Sequence, residues 1–134
     1  MVIVSACLAG VNCNYRGKSC ENESVVTMVR ERRAIPVCPE QLGGLTTPRP
    51  QAEIKNDRVV TKEGADITDA FLAGANEVLK ICQKYNCQKA ILKAGSPSCG
   101  CGKIYDGNFS GSLIDGKGIT AGLLCAHGIE VVAL

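Results

Sequence analysis

The segment Lys93-Ala94-Gly95-Ser96-Pro97-Ser98-Cys99-Gly100 decides how the rest of this sequence is interpreted. It follows the apolar run 90–92, which is typical of a short buried strand, and its Pro and Gly residues end that strand. Two other strand-like runs also lead into a cysteine: residues 2–6 into Cys7 and residues 34–37 into Cys38. If these strands are parallel neighbours, the three sulfurs meet at one edge of one sheet. That edge is where open α/β sheets bind their ligands.

Helical patterns separate the predicted strands. We expect a helix over about 25–33 with Ser24 as its cap, and a longer helix over about 67–85 capped by Asp66. A short last helix is expected over 119–126, before a final strand at the end of the sequence.

Two further stretches carry turn signals. Residues 52–61 alternate around Asn56-Asp57 and indicate a small hairpin. The Gly-rich stretch 100–118 contains Asp106-Gly107 and Asp115-Gly116, and is expected to form turns.

Strands that alternate with helices indicate a parallel sheet with helices on both faces. We therefore expect an α/β fold, a Rossmann-like three-layer sandwich with a mostly parallel sheet of about four strands plus the small hairpin. A single domain should span residues 1–134, since the sequence shows no linker, repeat or low-complexity segment.

The composition narrows the class of partner. The net charge of +2 is too small to argue for a nucleic-acid or membrane surface, and the absence of Trp leaves few platforms for base stacking. No apolar run approaches the ~18 residues of a membrane span, and no signal region precedes the first strand. We expect a soluble cytoplasmic protein that acts on a small molecule, with no membrane partner and a nucleic-acid partner disfavoured. The oligomeric state stays open.

Nine cysteines are unusual for a chain of 134 residues. In a reducing compartment, such cysteines are metal-binding, catalytic or simply buried. Cys82 and Cys125 fall on apolar helix faces, which indicates that they fill space in the core. Cys20 falls in a charged loop. Cys13 and Cys101 lie close in sequence to Cys7 and Cys99, and the sequence leaves open whether they assist a site formed by the cysteines that follow strands.

The three cysteines that follow strands admit two interpretations. They could be buried thiols at strand ends. Alternatively, they could hold a metal centre, because three thiolates at one rim repel each other unless a metal neutralises them. Thiolates favour zinc or iron–sulfur clusters.

Five short motifs occur together in this sequence: Ser5-Ala6-Cys7-Leu8, Pro36-Val37-Cys38-Pro39-Glu40, Thr47-Pro48-Arg49, Ser96-Pro97-Ser98-Cys99-Gly100 and Ile104-Tyr105-Asp106-Gly107. In this combination the chain resembles, nearly end to end, a bacterial family long known as a domain of unknown function that includes the thiouracil desulfidases. The resemblance implies a [4Fe–4S] cluster bound by three cysteines, Cys7, Cys38 and Cys99, with one iron open for a substrate sulfur. Such a cluster is lost in air.

The resemblance also implies residue roles. Glu40 corresponds to the catalytic acid–base residue of the family, and Ser96 to its catalytic serine. We expect Ser5, Arg49 and Ser98, which lie in the same motifs, to contact the substrate. The implied reaction is removal of sulfur from a thiolated nucleobase or nucleoside by hydrolysis, with hydrosulfide leaving onto the open iron.

Two other functions compete with this one. The chain could be a non-catalytic metal-binding or iron–sulfur-binding module. It could also be a zinc hydrolase similar to nucleobase deaminases, although the H-x-E and P-C-x-x-C pairing of those enzymes is absent.

Overall fold

The computed structural model describes residues 1–134 and alternates strands with helices. In chain order, the elements are β1 (Val2–Ser5), a 3-10 helix (Ala6–Ala9), α1 (Glu23–Arg30), β2 (Ala34–Val37), α2 (Pro39–Leu42), β3 (Ala52–Lys55), β4 (Arg58–Thr61), α3 (Thr68–Lys84), β5 (Lys89–Leu92), β6 (Cys101–Tyr105), β7 (Leu113–Lys117), α4 (Ile119–Ala126) and β8 (Glu130–Ala133). No helix combines the length and the apolar character that crossing a bilayer would need.

Four strands form the central sheet, and all of them run parallel. Their order is β2-β1-β5-β8, so β1 lies between the two other strands that lead into a cysteine. The predicted α/β fold with a mostly parallel sheet of four strands is therefore confirmed.

Helices cover both faces of this sheet, because successive strand residues point to opposite sides. Ile3 packs in one core cluster with residues of α3 and α4, while its neighbour Val4 packs in another with Val25 of α1. Each cluster is apolar throughout, so burial of these side chains fixes which helix lies on which face.

The hairpin predicted over 52–61 consists of β3 and β4. Asn56 and Asp57 form its two-residue turn with φ angles of 51° and 61°, a left-handed conformation that these two residue types tolerate best after Gly. The hairpin packs on α3 through Phe71, which is 1% exposed.

The prediction of turns over 100–118 is wrong in part, since this stretch contains a second hairpin, β6–β7. Gly102 pairs with Gly116 in its ladder, and Asp115-Gly116 lies inside β7 rather than in a turn. The side chain of Ile104 lies against Gly116, where a Cβ would come within 2.9 Å of it. Glycines occupy positions that usually carry β-branched or aromatic residues, so no strand pattern is visible in this stretch.

Two helix starts differ from the prediction. Ser24 lies inside the first turn of α1, and Asn22 is the cap, because its side chain accepts a hydrogen bond from the Val25 N–H at 3.2 Å. Helix α3 begins at Thr68 with Ile67 as the N-cap residue, yet Asp66 still accepts the Thr68 N–H at 3.0 Å.

Helix α2 packs on α3 through direct backbone contact. A Cβ at Gly43 would collide with the carbonyl oxygen of Ala70, and a Cβ at Gly74 would collide with that of Pro39. The chain that follows β2 is therefore seated on α3 with no side chain between them. This contact fixes the height of Cys38 and Glu40 above the sheet.

We expect Gly74→Ala to lower the free energy of unfolding by about 1–3 kcal/mol, the usual cost of overpacking. The new methyl group has only backbone to push against. Gly122→Ala is the matched control in α4, where the nearest atom outside the helix backbone, the Lys117 Cβ, lies 3.9 Å from a new Cβ, so Ala should be neutral or stabilising. Equilibrium urea unfolding of both variants tests this, and equal midpoints would contradict the backbone contact.

Candidate active site

One cavity lies at the carboxyl ends of β1, β2 and β5. Cys7, Cys38 and Cys99 all line it, together with Glu40 and Ser96. The structure thus brings together the three cysteines and both residues that the sequence suggested for catalysis. Arg49 and Ser5 line the same cavity.

Each cysteine is placed by the element that follows its strand. Cys7 lies in the 3-10 helix after β1, Cys38 is the N-cap residue of α2, and Cys99 lies in the turn after β5. The cysteine side chains converge because the strands that precede them are adjacent and parallel.

The turn around Cys99 is held by the N-terminus of α4. The N–H groups of Gly118 and Ile119 donate to the carbonyl oxygens of Gly100 and Pro97, at 2.7 and 2.9 Å. The next two N–H groups of the helix both donate to the Ser98 carbonyl, at 2.9 and 3.1 Å. The free donors of the helix start are therefore satisfied by this turn, which makes the turn rigid.

Ser96 lines the cavity and also organises the turn. Its hydroxyl oxygen accepts the N–H groups of Ser98 and Cys99 at 3.1 and 3.0 Å. A hydroxyl has two acceptor sites and one proton, so the proton is left to donate to another group.

Ser98 does not line the cavity. Its side chain is buried, and its hydroxyl forms a 2.7 Å hydrogen bond with that of Thr120 at the start of α4. The sequence analysis expected Ser98 to contact the substrate, but the structure directs its side chain away from the cavity. A buried hydroxyl pair of this kind anchors the turn.

The hydroxyl of Ser5 also forms a hydrogen bond within the protein. Its oxygen accepts the backbone N–H of Lys93 at 2.9 Å, which ties the end of β1 to the end of β5. Burial raises the pKa of the Cys99 thiol, and the neighbouring Ser5 hydroxyl opposes that shift. Ser5 and Cys99 thus line the same cavity, and the hydroxyl of Ser5 makes the thiol of Cys99 more acidic than burial alone would.

Glu40 and Arg49 form an ion pair at the wall of the cavity. Arg49 Nη2 donates to Glu40 Oε2 at 3.0 Å, and the two side chains are 3% and 19% exposed. The guanidinium is therefore buried, while the carboxylate remains open to the cavity.

Two more cysteines line the cavity, Cys13 and Cys20. The loop after the 3-10 helix returns over the sheet edge, where the Cys20 N–H donates to the Cys7 carbonyl at 2.9 Å. Cys101 lies outside the cavity lining, at the start of β6. Residues 8–23, which hold both cysteines, are polar and contain Gly and Asn, a composition typical of a loop. A loop that begins at the carboxyl end of β1 is the sequence signal that could have placed Cys13 and Cys20 at the cavity.

The thiols of this group differ in acidity. A hydrogen bond from the Cys13 thiol lowers the pKa of Cys38 to about 6 and that of Cys7 to about 7. The same bonds raise the pKa of Cys13, which stays protonated. Burial raises the pKa of Cys99 to about 12. The two most acidic thiols are thus ready to act as thiolate ligands.

The donor set around the cavity is made of thiols. No three His, Cys, Asp or Glu side chains are arranged to bind a single metal ion. Several thiols spread around one cavity are the donors that iron–sulfur clusters use, so the residues present fit such a cluster.

Comparison with known proteins shows the family to which this chain belongs. The sequence profile of the family described as 2-thiouracil desulfurase matches residues 2–133. The uncharacterized protein YbbK of Bacillus subtilis (strain 168) is 41% identical over 143 residues, which cover 99% of this chain and 95% of YbbK. The solved structure of the [4Fe-4S]-dependent thiouracil desulfidase TudS superposes with a TM-score of 0.94 at 45% identity, covering 98% of this chain and 89% of TudS.

In the reduced, cluster-free protein, we expect iodoacetamide at pH 7 to modify Cys38 before Cys82. The pKa of Cys38 is lowered to about 6, whereas burial raises the pKa of Cys82 to about 11. Because the thiolate is the nucleophile, modification of Cys38 should slow about tenfold for each pH unit below 6. Peptide mass spectrometry over a time course measures both rates. Equal rates for the two cysteines would contradict the difference in acidity.

Proposed function

We propose that this chain, which belongs to the 2-thiouracil desulfurase family, is a [4Fe–4S]-dependent desulfidase of a small thiolated nucleobase or nucleoside. The observation that carries the proposal is the convergence of Cys7, Cys38 and Cys99 on one cavity with Glu40 and Ser96. Family membership and the fold shared with TudS support the same reaction class.

In this proposal, Cys7, Cys38 and Cys99 hold the cluster. When bound, the cluster would supply an iron with one open position, a Lewis acid that polarises the C=S bond and accepts the departing sulfur. The rigid turn around Cys99 and the packing of α2 on α3 keep Cys99 and Cys38 in place without the cluster.

Glu40 acts as the general base. Its carboxylate is open to the cavity, and it lies two residues after a proposed cluster ligand on a helix that α3 supports. It takes a proton from the attacking water, whose oxygen forms the new C–O bond as the C–S bond breaks. The net reaction converts a thiocarbonyl and water to a carbonyl and hydrosulfide, with no change of electron count.

Ser96 acts as a hydrogen-bond donor. Both acceptor sites of its hydroxyl are used by backbone N–H groups, so its proton is the one group it can offer to the water or to the ring of the substrate. This orientation helps to place the reacting atoms, and the proton itself stays on the serine.

We expect Glu40→Gln to retain the cluster and still bind thiouracil, while hydrosulfide release falls by about 10²-fold or more, since the variant keeps the shape of the side chain and loses its basicity. Ser96→Ala should lose less, because one hydrogen bond is removed. Glu77→Gln on the exposed face of α3 is the control that should match the unaltered protein. The assay follows uracil formation under anaerobic conditions. An active Glu40→Gln variant would take the base role away from Glu40.

A second prediction concerns the ligands. Cys38→Ser should lose the cluster, while Cys82→Ser and Cys101→Ser should keep it, because Cys82 is buried in the core and Cys101 lies outside the cavity lining. Iron and sulfide counts per folded molecule after anaerobic reconstitution measure this. Full iron content in Cys38→Ser would contradict the ligand set. A wild-type protein with a full cluster that leaves thiouracil and thiouridine unchanged would favour the non-catalytic binding module.

A further inference from the structure

Arg49 is the most completely hydrogen-bonded charged side chain of the cavity wall. Its Nη1 donates to the Thr46 carbonyl at 3.2 Å and to Thr47 Oγ1 at 2.8 Å. Its Nη2 donates to the Cys13 carbonyl at 2.8 Å and to Glu40 Oε2 at 3.0 Å. One guanidinium therefore joins three separate segments of the chain around the cavity.

These bonds leave Arg49 little capacity to bind anything else. A guanidinium has five N–H donors, and both terminal nitrogens already have two protein partners each. The remaining donor, Nε, is shielded from solvent and has no partner. The side chain itself is 3% exposed. Arg49 is thus turned toward the protein, although the sequence analysis expected it to contact the substrate.

Glu40, the ion-pair partner of Arg49, uses only one of its two carboxylate oxygens within the protein. Arg49 takes up only Oε2 of Glu40, and Oε1 forms no hydrogen bond within the protein. Arg49 Nε is the only buried side-chain nitrogen or oxygen atom without a hydrogen-bond partner, so Oε1, which also has no partner, is not buried. The Glu40 side chain as a whole is 19% exposed. The ion pair therefore fixes one carboxylate oxygen and leaves the other free at the cavity.

We propose that Arg49 is a positioning residue that holds the Glu40 carboxylate with one oxygen presented to the reacting water, rather than a residue that contacts the substrate. This inference rests on the proposed function, in which Glu40 is the base. The fork of Arg49 reaches Cys13, the turn 46–47 and Glu40 at once, and a lysine ammonium cannot match that planar geometry. Loss of the fork frees the carboxylate to rotate away from the water.

A double-mutant cycle tests the proposal. Arg49→Lys should lower kcat by about 10- to 100-fold, the scale of a misplaced catalytic group, with KM and iron content unchanged. In the Glu40→Gln background, where no base is left to position, the same substitution should change kcat less than about twofold. Arg58→Lys, in the exposed ion pair with Asp66, is the matched control and should leave kcat unchanged.

Equal losses from Arg49→Lys in both backgrounds, or a loss confined to KM, would overturn the proposal, because such effects arise when the arginine contacts the substrate directly. Thr47→Val provides a second variant if Arg49→Lys does not fold, since it removes one partner of Nη1 and keeps the charge. It should lower kcat by a few-fold in the presence of Glu40 and leave Glu40→Gln unaffected.

A crystal structure of the same variant gives a readout that is independent of activity. The Glu40 carboxylate should leave its position in Arg49→Lys, or in Thr47→Val, while the cavity cysteines stay in place. An unmoved carboxylate would overturn the inference. An inactive wild-type protein with a full cluster would count against the proposed function alone, and the position of the carboxylate would still decide the role of Arg49.

Discussion

The parallel pairing of β1 with β2 on one side and with β5 on the other is the constraint on which the site depends. Ser5 lies opposite Val37 in this register, so the chain leaves both strands at the same level and enters Cys7 and Cys38 together. A shift by one residue would turn every side chain of β1 to the opposite face and bury the wrong set. The cores on the two faces of the sheet therefore hold the cysteines together, although no covalent link joins them.

Backbone groups do most of the work of placing the reactive side chains. The N–H groups at the start of α4 bind the turn that carries Cys99, and a glycine contact holds α2, which begins at Cys38 and contains Glu40, against α3. Side chains then refine the arrangement, as when Ser5 connects the ends of β1 and β5. The cavity is therefore rigid at its base, and its chemistry depends on a small number of polar groups at the wall.

The sequence predicted the features that come from periodicity and from the ends of strands. Alternating strands and helices indicated the sheet, and three cysteines after strands indicated one edge. It could not predict the β6–β7 hairpin, because Gly102 and Gly116 lack the side chains that mark a strand. Ser98 shows a second limit, since a motif gives the order of residues but not which of two neighbouring serines turns inward to Thr120. Glu53 gave no signal at all, yet its buried carboxylate accepts the N–H groups of Gly107 and Phe109 and fixes the loop of the second hairpin.

The contact between α2 and α3 has a consequence for anyone who would transplant this site to another scaffold. Gly43 and Gly74 each face a carbonyl oxygen of the opposite segment. Because both are already the smallest residue, a larger side chain at one position cannot be compensated at the other. The short segment that carries Cys38, Pro39 and Glu40 thus cannot be transferred to another protein without the helix against which it packs. A host protein would need a helix with a glycine facing the Pro39 carbonyl oxygen. A graft that copied only the cysteines and the carboxylate would lack the packing that holds them in position.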